Sequence, residues 1–461
     1  MSAPFPTRDF TASGDPVTHL GARLLRRGED GFDAAVAAAV WRMNKPARTP
    51  AAVVLAQDEA DVVAAMRLTK AEGLQVGVRS GGHSWTSPHV RDGALLLDVS
   101  RLNNFSIDAD TMSAWVQPGL KGRVLNEALG EQGLMFPGGH HNSVGLGGFL
   151  LAGGWGWNMR RWGNGAEQVL AARIVTPDGE VIEADANRNA DWYWAVRGAG
   201  PGFFGAVVGY TLRIHRRPAH ITRNVIVVGE DQLDAALTWL RAQAEHVPAH
   251  LEMFANAACF DENGECTPLK LSLVGISFGE NDAETEQSAA LFDICPVADQ
   301  ASVRLRAAPV TLGELYEMAS EADPEGLRFA CDNINTNAPA SELVPAVREL
   351  FTTLPTPRSH IYWLNWGKPR QREDMALSMQ STVYIAVYTL WDDPAQDEAM
   401  TRWPVEQMRK LESLACGAQT NDENMARRPA AYFSEQARTR LEALRQRHDP
   451  QHRFVSFLER P

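Results

Sequence analysis

The sequence predicts an α+β protein in two main parts, on three observations. A strand–helix–strand order fills residues 51–99. Short apolar strands with Pro/Gly turns continue to residue 217. Beyond Pro218, longer strands alternate with amphipathic helices, the pattern of an antiparallel sheet flanked by helices. A chain of 461 residues has ample length for two or three cores. The expected parts are 1–217 (core about 47–217), 218–424 and a C-terminal segment 425–461.

In chain order, a helix is expected at 31–43 and a strand at 51–55. Residues 58–72 read as a helix with Val62, Val63 and Met66 inward and Gly73 as its stop. Strands follow at 74–78 and 94–99, suggesting a βαβ unit. Another strand spans 112–116, then a helix 121–132 ending at Gly133. Residues 169–176 and 180–183 form two strands around Pro177-Asp178-Gly179, and 206–215 is a further strand. The second part has strands at 224–228, 270–275 and 382–390 and helices at 232–244 and 341–351. In the tail, Ser434 caps a helix with Ala437, Leu441 and Leu444 on one face, and Asp449-Pro450 stops it.

Composition narrows the function classes. The formal net charge is −13, which disfavours nucleic acid and anionic membranes as partners. The five cysteines (Cys259, Cys266, Cys295, Cys331, Cys416) match no zinc spacing and are odd in number. They read as buried free thiols, and no metal site is expected. The N-terminus lacks an apolar leader, so the expected location is cytoplasmic.

Two glycine-rich stretches hold the chemistry. "VRSGGHSWTS" covers residues 78–87, and "FPGGHHNSVGLGGFLLAGGWGWNMRRWG" covers 136–163 with nine glycines. Bare backbone amides approach a ligand closely and form concavities suited to a pyrophosphate. "GPGFFG" at 200–205 fits the dinucleotide fingerprint, but a strand follows it where a helix is required. No P-loop and no H-E-x-x-H occurs, and neither Asn142-Ser143-Val144-Gly145 nor Gly81-Gly82-His83-Ser84 is a G-x-S-x-G. His140 and His141 are adjacent, so in extended chain they point to opposite faces.

"VRSGGHSW", "PGGHHNSVGLGGFLLAGGWG" and "VTPDGEVIEADANRNADWYWAVRGAGPGFFGAVVGYTLRIHRRP" resemble the flavin domain of the berberine bridge enzyme-like oxidases, in the vanillyl-alcohol oxidase superfamily. The likeness covers about residues 50–217. The tail "RLEALRQRHDPQHRF" is similar to that family's close. The resemblance implies a two-subdomain, PCMH-type FAD-binding domain, a substrate domain and a returning C-terminal segment. It also implies FAD bonded through its 8α-methyl carbon to His83. A neutral imidazole is a good nucleophile near neutral pH. Where relatives carry a second, cysteinyl bond this chain has His141, so one covalent bond is expected. His141 either touches the flavin or substrate or is an ordinary polar residue.

The cofactor residues implied are Arg79, Ser80, Gly81, Gly82, His83 and Ser84 in the first stretch. Arg79 is expected to meet the pyrophosphate by charge, and Ser80 and Ser84 by N–H or O–H groups. The second stretch supplies Pro137, Gly138, Gly139, His141, Ser143, Val144, Gly145, Gly147, Gly148, Gly153 and Gly154. Gly202, Gly205 and Val207 complete the set, while Phe203 stands where relatives have asparagine. Valine at 144 resembles oxygen-reactive members, which points to O2 as acceptor. Trp192, Tyr193 and Trp194 read as core packing.

On the substrate side, "STVYIAVYTLWDD" resembles the family strand that faces the donor. Period 2 puts Tyr384, Ala386 and Tyr388 on one face. Together with His141, Tyr384 and Tyr388 are the catalytic candidates. A phenol needs nearby positive charge to act as a base, and otherwise orients the substrate or simply packs. Tyr362, Trp363, Trp366 and Trp391 hint at an apolar or aromatic small molecule, though core packing explains them equally. The expected function is an FAD-dependent oxidase acting on an alcohol, an amine or a natural-product intermediate, by hydride transfer to flavin N5. The alternatives are an oxygenase or oxidative cyclase of secondary metabolism, a dehydrogenase with another acceptor, and a flavin-binding protein without turnover.

Overall fold

A computed structural model describes residues 14–260 and 265–458. The first sheet consists of β1 (Leu24–Arg26), β2 (Ala52–Leu55), β3 (Val76–Arg79) and β4 (Leu95–Asp98), in the order β1-β2-β4-β3. β4 runs parallel to β2 and to β3 and lies between them. Strands buried on both faces read as unbroken apolar runs, as "AVVL" and "LLLD" do. The helix Glu59–Glu72 crosses from β2 to β3. Asp58 caps its start by accepting from Asp61 N, and Gly73, at φ 67°, ends it. The early helix spans only Phe32–Ala38, shorter than the sequence suggests. The chain leaves it so that Trp41 N can donate to Gly82 O at 3.0 Å.

The next seven strands are β5 (Phe105–Asp108), β6 (Ser113–Val116), β7 (Leu134–Met135), β8 (Val169–Val175), β9 (Val181–Asp185), β10 (Ala206–Arg213) and β11 (His215–Arg216). Five of them form an antiparallel sheet, β5-β6-β10-β8-β9, and β7 pairs with β11. The helix Ala190–Val196 packs here with Trp192 and Trp194 buried, as core. The helix Glu435–His448 buries Ala437, Leu441 and Leu444 in the same core, capped by Ser434.

The remaining strands are β12 (His220–Gly229), β13 (Leu251–Phe260), β14 (Cys266–Gly279), β15 (Val303–Pro309), β16 (Arg328–Thr336), β17 (His360–Asn365), β18 (Val383–Trp391) and β19 (Ala415–Gly417). They form one antiparallel sheet, β15-β12-β14-β13-β17-β18-β16-β19. Strand alternation gives it two unlike faces. Ile226, Leu271, Leu273, Trp363, Ile385 and Val387 join the core beneath the helices Leu233–Gln243, Ala340–Thr352 and Asp397–Lys410. The other face carries Val225, Val274, Phe254, Leu364 and Tyr384 in one ladder row. Tyr362 pairs with Ala386 and His360 with Tyr388 in the rows beside it.

Two expectations change in detail. Cys295 and Cys331 are buried thiols, but Cys416 is exposed. The aromatics divide: Tyr362 and Trp366 face a cavity, whereas Trp363 is fully buried among helices and the Trp391 indole donates to Asp397. No helix among the described residues is long and apolar enough to cross a membrane.

Candidate functional site

A cavity of about 650 Å³ lies where the sheets meet. That volume is in the range of pockets that bury a small ligand. β3 ends at Arg79 and delivers residues 80–84 to its wall. The second glycine stretch crosses the first in direct contact. A Cβ on Gly81 would lie 2.7 Å from Gly145 N, and one on Gly145 3.0 Å from Gly81 N. Only bare backbone fits that crossing. Gly148 N donates to Ser80 Oγ at 3.1 Å, holding the stretches together. Neither stretch contains a carboxylate, so the crossing suits a diphosphate.

Of the expected cofactor residues, Arg79 to Ser84, Gly139, His141, Val144, Gly145, Gly147, Gly148, Gly205 and Val207 line the cavity. Six stand behind it. Pro137 and Gly138 present their carbonyls to Gly156, and Gly153 packs on Leu377. Gly154 packs on Gly165, Gly202 on Leu441, and Ser143 lies between two histidines. Arg79 braces the loop as well as lining the cavity. Its Nη1 donates to both Asp98 oxygens at 3.1 Å and its Nη2 to Ala38 O at 3.2 Å. Its buried Nε has no hydrogen-bond partner among the described residues.

His83 is fixed by one stacked ring and one hydrogen bond. Trp41 stacks on the imidazole at 4.8 Å and 24°. Nε2 is 2.8 Å from Ser143 Oγ, and that oxygen is 2.9 Å from His141 Nδ1. His141 Nε2 in turn meets the Asp323 carbonyl at 3.1 Å. Burial pushes His83 down to about 3 and lowers His141 as well, so both rings stay neutral. His140 turns away and sits edge-on to Trp157 at 4.3 Å.

The tyrosines face the cavity as period 2 requires. Among the described residues no cation bonds to them; a carboxylate does. Tyr384 donates to Asp422 Oδ2 in a short hydrogen bond, and Tyr388 donates to the same oxygen at 3.2 Å. The Trp85 indole donates to Oδ1 at 2.6 Å. Burial and the Asp422 charge hold both phenols well above their ordinary range. Burial also raises Asp422, against the three donors that favour its ionised form. The sequence reading missed Asp422, which lies in a one-turn 3-10 segment, Thr420–Asp422, with no periodic signal.

Two more half-buried carboxyls line the cavity unannounced. Burial raises Asp323 to about 7, with its Oδ1 3.5 Å from His360 Nε2. Glu252 is raised to about 8 by burial, although Asn158 N donates to it at 2.5 Å. Both lie within otherwise unpatterned polar runs of the sequence.

Residues 50–185 match the FAD binding domain family. Over 421 residues the chain is 28% identical to the FAD-linked oxidoreductase nodO of Hypoxylon pulicicidum, covering 90% of this chain and 92% of that protein. It is 30% identical over 233 residues to berberine bridge enzyme-like 24 of Arabidopsis thaliana, covering 48% of this chain and 42% of the relative. The fold matches that of BBE-like 1 from Physcomitrella patens with a TM-score of 0.81 at 20% identity, over 97% of this chain and 98% of that one.

Proposed function

We propose that the chain is a berberine bridge enzyme-like, FAD-linked oxidoreductase, and specifically an oxidase with its flavin attached to His83 by a single covalent bond. Its donor is a small alcohol, amine or natural-product intermediate, and its final acceptor is O2. One observation carries this reading: a buried carboxylate ringed by two phenols shares a cavity with the glycine crossing.

Bound FAD supplies a two-electron acceptor whose electrons pass on to O2. The amides and Ser80 of the glycine crossing would hold its diphosphate, and Gly205 and Val207 would pass beside its adenine or ribityl part. At the donor, Asp422 is the proton acceptor. The donor's O–H or N–H bonds to a tyrosine oxygen, and the Tyr384 phenol passes its own proton to Asp422 Oδ2. Tyr388 and Trp85 hold that carboxylate in place. A carboxyl raised by burial is a stronger base than a solvated one, as this step requires.

The attachment uses the other end of the site. With His83 Nε2–H donating to Ser143, Nδ1 would keep the lone pair for the bond to the 8α carbon; the methyl C–H broken there would give its proton to solvent, and the two electrons released would pass to the flavin ring and on to O2. The Nε2 proton leaves to Ser143 Oγ, whose own proton moves to His141 Nδ1. That chain gives His141 a role at the flavin, and its neutral ring can accept the proton. Val144, on the cavity wall, supports O2 as acceptor over the dehydrogenase reading.

Acid precipitation tests the attachment. The unaltered protein should give a yellow pellet and His83→Ala a colourless one, with Ser143→Ala attaching flavin more slowly. A colourless pellet from the unaltered protein removes the tether. Peroxide formed in step with oxidised donor supports the oxidase. Oxygen incorporated into product without peroxide replaces it with the oxygenase.

A further inference from the structure

The cavity extends along the large sheet to β12, where Arg223 lines its far end. This guanidinium lacks the partner such a group usually has. Its Nη1 donates only to the Met318 thioether sulfur at 3.1 Å, and its buried Nε has no partner. No carboxylate among the described residues lies within ion-pair distance of it. Glu314, on the helix Leu312–Ala322, feels its charge from beyond that distance, so a half-buried guanidinium bonded to a thioether stays under-paired unless a ligand completes it.

The surroundings specify the ligand's charge and shape. Arg223 pairs across the ladder with Ile276, and Ile276 with Glu252. Glu252 is the nearest acid in that row, and burial keeps it protonated at neutral pH. Arg160, also on the cavity wall, adds a second positive charge. The apolar row Val225, Val274, Phe254 and Leu364 then leads from this end to Tyr384. From β12 to β18 is four strand steps, or roughly 19 Å at about 4.8 Å per step.

We propose that Arg223 is a carboxylate anchor, and that the donor oxidised beside Asp422 is an elongated apolar acid. The guanidinium fork takes the carboxylate through two parallel N–H donors, and the apolar row takes the body. This rests on the oxidase reading for what happens at Asp422, but not for the binding itself.

The test compares 8-phenyloctanoate with its primary amide on the flavin-loaded protein, by perturbation of the flavin absorbance and in parallel by calorimetry. The acid should bind about ten- to hundredfold tighter than the amide. Arg223→Leu and Arg223→Gln should each remove the difference, while Arg223→Lys keeps part of it. Two variants of different bulk guard against a folding defect in either. Equal affinities in the unaltered protein, or a preference that survives in a folded Arg223→Gln variant, overturn the proposal. A protein without flavin would overturn the oxidase reading instead, and calorimetry would still decide the anchor.

Discussion

At the scale of single residues, Asp422 decides most. Asp422→Asn keeps the phenols in place but removes the proton acceptor, so kcat should fall about 10²- to 10⁴-fold while acid-stable flavin stays unchanged. Tyr384→Phe should cost less, because Tyr388 still reaches the same oxygen. The base works ionised, so activity rises with pH through its pKa. Burial raises that pKa, and the acid limb of kcat/KM should therefore lie above the ordinary aspartate range and vanish in Asp422→Asn. A limb at the ordinary position would assign the proton elsewhere. The place of His83 on the cavity wall was legible in the sequence, because the paired glycines before it mark a backbone pressed against something. Asp422 was not, because its setting comes from burial beside two tyrosines of one strand more than thirty residues upstream in the chain.

At the scale of elements, the glycine crossing and β13 make separate predictions. Gly145→Ala places a methyl against the Gly81 backbone, so the purified variant should carry little or no flavin. A variant with full flavin content would mean the stretches can part. On β13, Glu252 is protonated in the folded state up to about 8 but ionises near 4.5 when unfolded. The folded form thus binds more protons between those values, and its stability falls as pH rises across that window. Glu252→Gln should flatten this slope, read as Tm between pH 5 and 9. Elements with clean periodicity, such as the helix Glu59–Glu72 and β18, were readable. β16 was not: "RFACDNINT" buries Asp332, Asn333 and Asn335, polar residues that alternation rules assign to the surface. Their partners, Arg428 and the 419–422 backbone, come from a distant segment.

At the scale of the whole molecule, that same segment ties the large sheet down. Arg428 donates to both Asp332 oxygens, at 2.8 and 2.7 Å, with both side chains almost fully buried. Removing one partner strands the other, so Arg428→Leu should cost about 3–5 kcal/mol in urea unfolding. A loss under about 1 kcal/mol would mean water reaches the site. The α+β class and the glycine-rich cofactor wall were legible because close backbone approach leaves its mark in residue type. The donor end of the cavity was legible only in β18, where period 2 put Tyr384 and Tyr388 on one face; Asp422 and the residues of the other strands join them only on folding. One further contact bears on how the protein is made. β3 is an edge strand until Val76 N bonds Arg453 O at 2.7 Å and Val455 N bonds Val76 O at 3.0 Å. Those partners are translated about 380 residues later, roughly 20–75 s at ribosomal speed. A nascent chain therefore displays an open sheet margin for most of its synthesis, which is when chaperones should find it.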